Sequence, residues 1–148
     1  MRALLLTLLL VSGQAAAQHL PPLTSLADIG SKNTDTRAML VLFSQPDCSY
    51  CDVVRSEFLL PLQQQPPKGL SIREFKVAEA DSLLDREGNV IAPQAFARRY
   101  DIRFFPTVAL IGPDGDLLSK PLIGISSREF YGYYLDQAIS QALAVSLP

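Results

Sequence analysis

Apolar and polar positions alternate along this chain in patterns that predict strands and helices. Residues Ala38–Phe43 form a short, continuous apolar run, which is typical of a strand that is buried on both faces. The turn-forming residues Ser44–Asp47 follow, and a helix is expected to begin close to Cys48. Apolar residues then recur at helical spacing as far as Pro61, which is expected to end or kink this helix.

The rest of the chain continues with elements of the same two kinds. Further strands are expected at Leu70–Val77, Thr107–Ile111 and Leu117–Pro121, and further helices around Leu23–Gly30, at Ala92–Tyr100 and from Ser126 to about Ala144. Ser126 and Glu129 have the spacing of a capping box at the start of the last helix. This order predicts an α/β fold in which helices flank a central mixed sheet.

The first residues have the pattern of a secretory signal peptide. Arg2 supplies a positive charge, and the apolar run Ala3–Val11 is too short to span a bilayer. Ala15–Ala17 provides the small residues of a cleavage site, so cleavage is expected before Gln18 and the protein is expected in the periplasm. An uncleaved membrane anchor is the alternative.

Composition allows one globular domain and narrows the classes of partner. The full chain is 48% hydrophobic and 19% charged, with a net charge of −2. This balance gives no reason to expect nucleic acid or an anionic membrane surface as a partner. The expected division is a signal peptide at residues 1–17, a lead-in at 18–36 and the domain at 37–148.

The only two cysteines, Cys48 and Cys51, form a C-x-x-C motif that allows three interpretations. A structural zinc site needs four ligands, but the chain adds only His19, expected in a disordered terminus, so no metal site is expected. A purely structural disulfide would close one of the smallest loops that can form and would stabilise little. A redox-active pair is therefore the favoured interpretation in an oxidising compartment.

The expected position at a strand-to-helix junction supports redox chemistry. The free N–H groups and partial positive charge of a helix N-terminus stabilise a thiolate, so the pKa of Cys48 is expected below the value of about 8.5 for a free thiol. Asp47 opposes this effect, since a neighbouring carboxylate raises a thiol pKa. Cys48 is expected to be the nucleophile, and Cys51, one turn along, the resolving cysteine.

Beyond this motif, the chain resembles the thioredoxin family over about residues 37–144. The resemblance rests on Asp101–Leu110, which includes Phe105-Pro106-Thr107 before an apolar strand, on the turn Gly112–Gly115 and on Gly124 before the last helix. It implies a thioredoxin-like fold, with the C-x-x-C motif at a strand-to-helix junction.

The same resemblance implies a substrate-binding segment. In the family the proline at the place of Pro106 is cis and lies beside the cysteine pair. The backbone of Phe105 is then expected to pair with an extended substrate segment. Tyr50, inside the motif, is the third residue expected to bind substrate. The dipeptide Ser49–Tyr50 replaces the Gly-Pro of many thioredoxins and leaves the redox potential open.

Two departures from the family pattern concern proton transfer and the link after the second strand. Leu42 stands where many thioredoxins have a buried Asp that helps the resolving thiol to lose its proton. Glu79 and Asp81 are candidate replacements, although surface carboxylates are the plainer interpretation. Residues Glu79–Ile91 form a longer link than usual, with Asp85–Asn89 as an expected surface turn.

Together these features predict an exported thiol–disulfide oxidoreductase that uses a Cys48–Cys51 dithiol/disulfide cycle without a cofactor. Reduction of protein disulfides is the favoured direction, because the chain lacks the inserted helical domain of dedicated periplasmic oxidases. A membrane-bound thiol reductase is then the expected electron donor, and the protein is expected to be a monomer. The alternatives are a disulfide donor of the same fold and a non-catalytic binding module with a permanent disulfide.

Overall fold

The computed structural model describes residues 19–27, 29, 35–80 and 82–145. The expected signal peptide therefore lies outside the described residues. The strands are β1 (Ala38–Ser44), β2 (Leu70–Lys76), β3 (Leu83–Leu84), β4 (Val90–Ile91), β5 (Thr107–Ile111) and β6 (Leu122–Ile123). The helices are α1 (Ser49–Val53), a π-helical segment (Val54–Leu59), α2 (Leu60–Gln64), α3 (Pro93–Arg99) and α4 (Arg128–Val145). Strands β1, β2 and β5 and helix α3 match their expected positions closely.

The central sheet is mixed, as predicted, and has the strand order β2–β1–β5–β6. Strand β1 pairs in parallel with β2, from Ala38 opposite Leu70 to Ser44 opposite Lys76. On its other side it pairs antiparallel with β5. All seven residues of β1 are buried. Burial on both faces of an inner strand explains why its sequence is apolar without interruption.

The two faces of β1 contact two separate hydrophobic clusters, because neighbouring side chains on a strand point to opposite faces. On one face, Leu40 and Leu42 share a cluster with residues of the π-helical segment and α4. On the other face, the ring of Phe43 lies 5.6 Å from that of Phe96, which lies 5.1 Å from Phe75. Helices thus cover both faces of the sheet, and the predicted fold class is confirmed.

Pro61 does not end the helix that follows the cysteines. Helix α1, the π-helical segment and α2 form one continuous helical stretch, which we call the cysteine helix. At its centre the N–H of Leu60 bonds to the carbonyl of Arg55, five residues earlier. Pro61 follows in the first turn of α2. The wider π turn changes which carbonyls need a donor, and so accommodates a residue that has no N–H.

The helix expected around Leu23–Gly30 is not formed by the described residues of that range. The lead-in instead lies extended along two strand edges, with isolated bridges from Pro22 to Glu74 and from Ser25 to Leu84. Adjacent prolines favour extended backbone. The edges of β2 and β3 also offer hydrogen-bond partners that a single helical turn would lack. The lead-in therefore connects the edge of the main sheet to the β3–β4 hairpin.

The long link after β2 contains this small hairpin. Its turn is the expected surface turn at Asp85–Asn89, which is confirmed. One carboxylate oxygen of Asp85 accepts the N–H groups of Glu87 at 3.0 Å and of Asn89 at 2.7 Å. Leu83 is fully buried, so the hairpin is anchored in the core.

The strand expected at Leu117–Pro121 is not formed. Leu117 makes a single bridge with Ile111, and regular pairing begins only at β6. Pro121 explains the delay, because it has no N–H to contribute to a ladder. The prediction placed the strand too early because Leu117 and Leu118 are apolar.

The last helix begins later than expected, so the prediction of a capping box formed by Ser126 and Glu129 is wrong. Helix α4 starts at Arg128. The hydroxyl of Ser127, immediately before it, donates to the carboxylate of Glu129 at 2.8 Å.

Among residues 19–27, 29, 35–80 and 82–145, no helix combines the length and the apolar content of a membrane span.

Replacing Phe96 by Ala is expected to lower the free energy of unfolding by about 3–5 kcal/mol. Phe96 is almost completely buried among Phe43, Phe75 and Tyr100, so truncation leaves a cavity between the sheet and α3. Urea denaturation of the oxidised protein measures the change. Tyr133→Ala is the control, because Tyr133 is exposed and its loss should change stability by no more than about 0.5 kcal/mol.

Replacing Leu23 by Ala is expected to cost about 2–5 kcal/mol of unfolding free energy, because the lead-in contributes to the core. Leu23 is buried in the same cluster as Phe43 and Phe96. Thr24→Ala is the matched control, since Thr24 is the exposed neighbour and contributes only its backbone to β3. Equal stabilities of the two variants would show that the lead-in is not part of the folded domain.

Candidate redox site

The C-x-x-C motif lies at the junction of β1 and α1, as predicted. Residues 45–47 turn the chain from strand to helix, and Asp47 adopts a left-handed backbone with a φ of 54°. Aspartate accepts this region more readily than most residues, because its short side chain can bond locally. Cys48 is the N-cap residue of α1, and Cys51 lies in the first turn.

The two cysteines form a disulfide, and they differ in exposure. Their Cα atoms are 5.2 Å apart. Cys48 is half-buried, whereas Cys51 is completely buried. The backbone N–H of Cys51 donates to the Sγ of Cys48 at 3.2 Å, so this sulfur takes the place of an N-cap oxygen. The same N–H can stabilise a thiolate at Cys48 in the reduced protein. The roles of nucleophile and resolving cysteine fit this arrangement and stay predictions.

The segment expected to bind substrate contains a cis peptide bond between Phe105 and Pro106, which confirms the bond geometry that the resemblance implies. Pro106 is buried and Phe105 is half-buried. The carbonyl of Pro106 accepts a hydrogen bond from the N–H of Gly124 at 2.7 Å. The side chain of Tyr50 is exposed, at 62%. That these three expected residues bind substrate stays a prediction.

A buried carboxylate that the sequence-based prediction omits lies on β2. Glu74 is paired in register with Leu42 and is only 6% exposed. Paired residues on neighbouring strands point to the same face of a sheet. Glu74 therefore places a carboxylate one strand away from the position that carries Asp in many thioredoxins. The sequence contains a signal for this carboxylate, because Leu70, Ile72 and Glu74 occupy alternate positions of β2 and so share one face of the strand. All three side chains are buried there.

Glu74 is bound by Arg55, which lies four residues after Cys51 on the cysteine helix. The Nε of Arg55 donates to Oε2 at 2.9 Å, and its Nη2 donates to Oε1 at 2.6 Å. The hydroxyl of Ser44 also donates to Oε1 at 2.6 Å. Burial raises the pKa of Glu74, but these hydrogen bonds together bring that pKa below its ordinary value. The bond to Glu74 raises the pKa of Arg55 although burial opposes this, so both groups are charged at neutral pH.

A cavity of about 510 Å³ opens beside Cys48. Its charged or titratable lining residues are His19, Asp47, Asp52, Arg55, Glu74, Lys76 and Glu79. Glu79 thus lies near the cysteines, as a replacement for the missing Asp would, but it forms an ion pair with Lys76 at 3.0 Å. Asp81, the other candidate, lies outside the described residues. His19 lies in this wall, and the expectation that it is disordered stays a prediction.

Metal ligation has no support in the part of the chain that the structure describes. No three side chains of His, Cys, Asp or Glu lie there in a group that could hold an ion.

Comparison with known proteins identifies the fold independently. The family model of the thioredoxin-like domain matches residues 26–139. The oxidized form of mitochondrial thioredoxin 3 from Saccharomyces cerevisiae is 21% identical, with a TM-score of 0.54, over 82% of this chain and 93% of that one. A mutant thioredoxin from Halobacterium salinarum is 20% identical, with a TM-score of 0.50, over 80% and 90% of the two chains. No curated protein matches the chain significantly.

These matches carry different weight. At such low identity the two solved structures show a similar fold alone. The family model covers well over half of the chain. With a C-x-x-C disulfide at the start of a helix after β1, such a domain supports a thiol–disulfide oxidoreductase. The chain belongs to the thioredoxin-like domain family.

Proposed function

We propose that this protein is an exported thiol–disulfide oxidoreductase that reduces protein disulfides through Cys48 and Cys51. The observation that carries the proposal is the disulfide between a half-buried and a completely buried cysteine at the start of a helix. The partly exposed sulfur can meet a substrate, and the buried one is protected from competing thiols. This difference gives the two cysteines different roles.

The reaction proceeds in two thiol–disulfide exchanges. The thiolate of Cys48 attacks one sulfur of a substrate disulfide, the substrate S–S bond breaks, and one substrate thiolate leaves and takes a proton from water. The thiolate of Cys51 then attacks Cys48 in the mixed disulfide. This step forms the Cys48–Cys51 bond and releases the second substrate thiolate. Two electrons pass to the substrate, and a thiol donor must return them to the protein.

Substrate binding is assigned to Tyr50, Phe105 and Pro106. Tyr50 is exposed within the motif, and its ring offers apolar surface with a polar end. Exposed apolar side chains also lie at Phe104 and at Ile123 of β6, which line one cavity together. The hydrogen bond from the N–H of Gly124 to the carbonyl of Pro106 holds the loop that contains Phe105 and Pro106. An extended peptide with an apolar residue near its cysteine suits such a surface.

The reducing direction is supported by the order of the elements. Within residues 35–80 and 82–145, strands and helices follow one another without an inserted helical domain. We assign the return of electrons to a membrane-bound thiol reductase, because an oxidising compartment does not supply them. The protein acts as a monomer in this proposal.

The reduced protein is expected to reduce insulin disulfides in the presence of dithiothreitol, measured as turbidity of the released chains. Cys48→Ser should bring the rate to that of dithiothreitol alone, because the nucleophile is lost. In a separate reaction without dithiothreitol, reduced Cys51→Ala should keep the first attack on insulin and accumulate a mixed disulfide, visible on non-reducing gels. Ser49→Ala is the control within the motif and should retain turnover.

Two other outcomes would point to other functions. No turnover, together with a reduction potential well below the value of about −270 mV for thioredoxin, would favour a binding module with a permanent disulfide. Fast oxidation of reduced substrates with slow reduction of insulin would favour a disulfide donor.

When the full chain is expressed in a Gram-negative bacterium, the protein is expected in the periplasm. Its measured mass should be that of a mature chain beginning at Gln18. Replacing Ala15 and Ala17 by Glu should block cleavage and leave the longer product in the membrane fraction. A full-length wild-type protein in the membrane fraction would show that the first residues are an anchor instead.

A further inference from the structure

Arg55 balances negative charge in the cavity beside Cys48. We propose that Arg55 is a shared counter-ion of Asp52 and Glu74, and that this pairing allows Cys48 to ionise. The inference rests on the proposed function and deepens it, since it concerns the acidity of the attacking cysteine. Arg55 acts through the charges around Cys48, so it is a positioning residue in this reaction.

The charges that face the cavity come from every element around it. Carboxylates outnumber cations: the carboxylates are Asp47, Asp52, Glu74 and Glu79, the cations are Arg55 and Lys76, and His19 is the remaining titratable group. Lys76 pairs with Glu79 at 3.0 Å, which leaves Arg55 facing the other three carboxylates of this wall. The cis-proline segment Phe104–Thr107 adds no titratable side chain.

Arg55 engages both of its carboxylate partners at once. Its Nε and Nη2 bind Glu74 as a fork, and its Nη1 donates to Asp52 at 2.5 Å. The side chain of Arg55 is 17% exposed, while that of Asp52 is 71% exposed. A guanidinium can bind one carboxylate with two donors and still reach a second, which an ammonium group cannot reproduce.

Removing this counter-ion would leave two carboxylates close to Cys48 without compensation. Like charges disfavour ionisation, and an unpaired charge acts over a longer distance when it is buried, as Glu74 is. The N–H of Cys51 would still stabilise the thiolate, so the two contributions can be separated by mutation.

The test measures alkylation of Cys48 by iodoacetamide in the reduced protein from pH 4 to 9, with mass spectrometry to assign the site. Arg55→Met is expected to slow alkylation at pH 6 about tenfold, the effect of a shift of about one pH unit in the thiolate titration. Arg55→Lys should restore part of the rate, because it restores the charge. Asp52→Asn and Glu74→Gln should each increase the rate.

The double variant Arg55→Met/Glu74→Gln separates a charge effect from a structural one. It removes the buried carboxylate with its counter-ion, so the rate should return to within about threefold of wild type. A purely structural role predicts that the double variant is at least as slow as Arg55→Met. Where Arg55→Met alone does not fold, by circular dichroism, the double variant and the exposed Asp52→Asn decide the question.

A second ion pair on the cysteine helix provides the matched control. Glu57 pairs with Arg128 of α4, and both side chains are exposed. Glu57→Gln and Arg128→Met should leave the alkylation rate within about twofold of wild type, because exposed charges are screened by water. The inference is overturned if Arg55→Met alters the rate no more than these controls, or if Asp52→Asn and Glu74→Gln slow the reaction.

The reduction potential supplies an independent readout. A counter-ion that stabilises the thiolate stabilises the reduced protein, so Arg55→Met should lower the potential and Asp52→Asn should raise it. Insulin turnover by the wild type tests the proposed function, whereas the alkylation ratios need no substrate. Turnover with unchanged ratios would overturn the counter-ion role alone, and changed ratios without turnover would overturn the function alone.

Discussion

Strand β1 is buried along its whole length, and both the fold and the position of the cysteines depend on this burial. Its alternate side chains enter two different clusters. A slip of one residue would move every one of them to the wrong face. The end of β1 is therefore fixed at Ser44. Because only residues 45–47 separate this end from Cys48, the position of Cys48 is fixed as well. The chemistry at the cysteine pair depends on a strand that contains no reactive group.

Elements with strong local patterns can be predicted from the sequence, and β1, β5 and α3 are the examples. The continuous apolar run of β1 and the proline at the start of α3 are local signals that need no distant partner. The motif of Cys48 and Cys51 and the segment of Pro106 are likewise local. The sequence therefore predicts the fold class and the position of the motif, and the resemblance to the thioredoxin family implies the cis bond.

Elements that depend on distant partners cannot be predicted in this way. The lead-in becomes extended because Glu74 and Leu84 offer their backbone groups to it. Glu79 is conspicuous in the sequence as a carboxylate in a polar link, whereas Glu74 lies inside a strand. The role of Glu74 in the site is visible only in the structure, where Arg55, from a helix earlier in the chain, lies against it. Sequence spacing predicts which residues share a face, but not which charges will meet across two elements.

The buried polar side chains of Ser44 on β1 and Glu74 on β2 satisfy each other's hydrogen-bonding needs. Glu74 loses hydration on burial and recovers three hydrogen bonds, two from Arg55 and one from Ser44. Ser44 is itself fully buried, so its hydroxyl would lack a partner if residue 74 were apolar. A buried ion pair seldom adds much stability, because desolvation offsets the attraction. In the proposed counter-ion role of Arg55, the main effect of this pair is on the charge around Cys48.

The extended lead-in also determines what the edge of the sheet can offer to another molecule. Pro21 and Leu23 occupy both backbone groups of Glu74, in the outer strand β2. Two consecutive prolines at this place have no N–H to donate to a further strand. The opposite edge, β6, is only two residues long. In the part of the chain that the structure describes, neither edge of this sheet is a long template for intermolecular strand pairing, which protects the folded protein against aggregation through its edges.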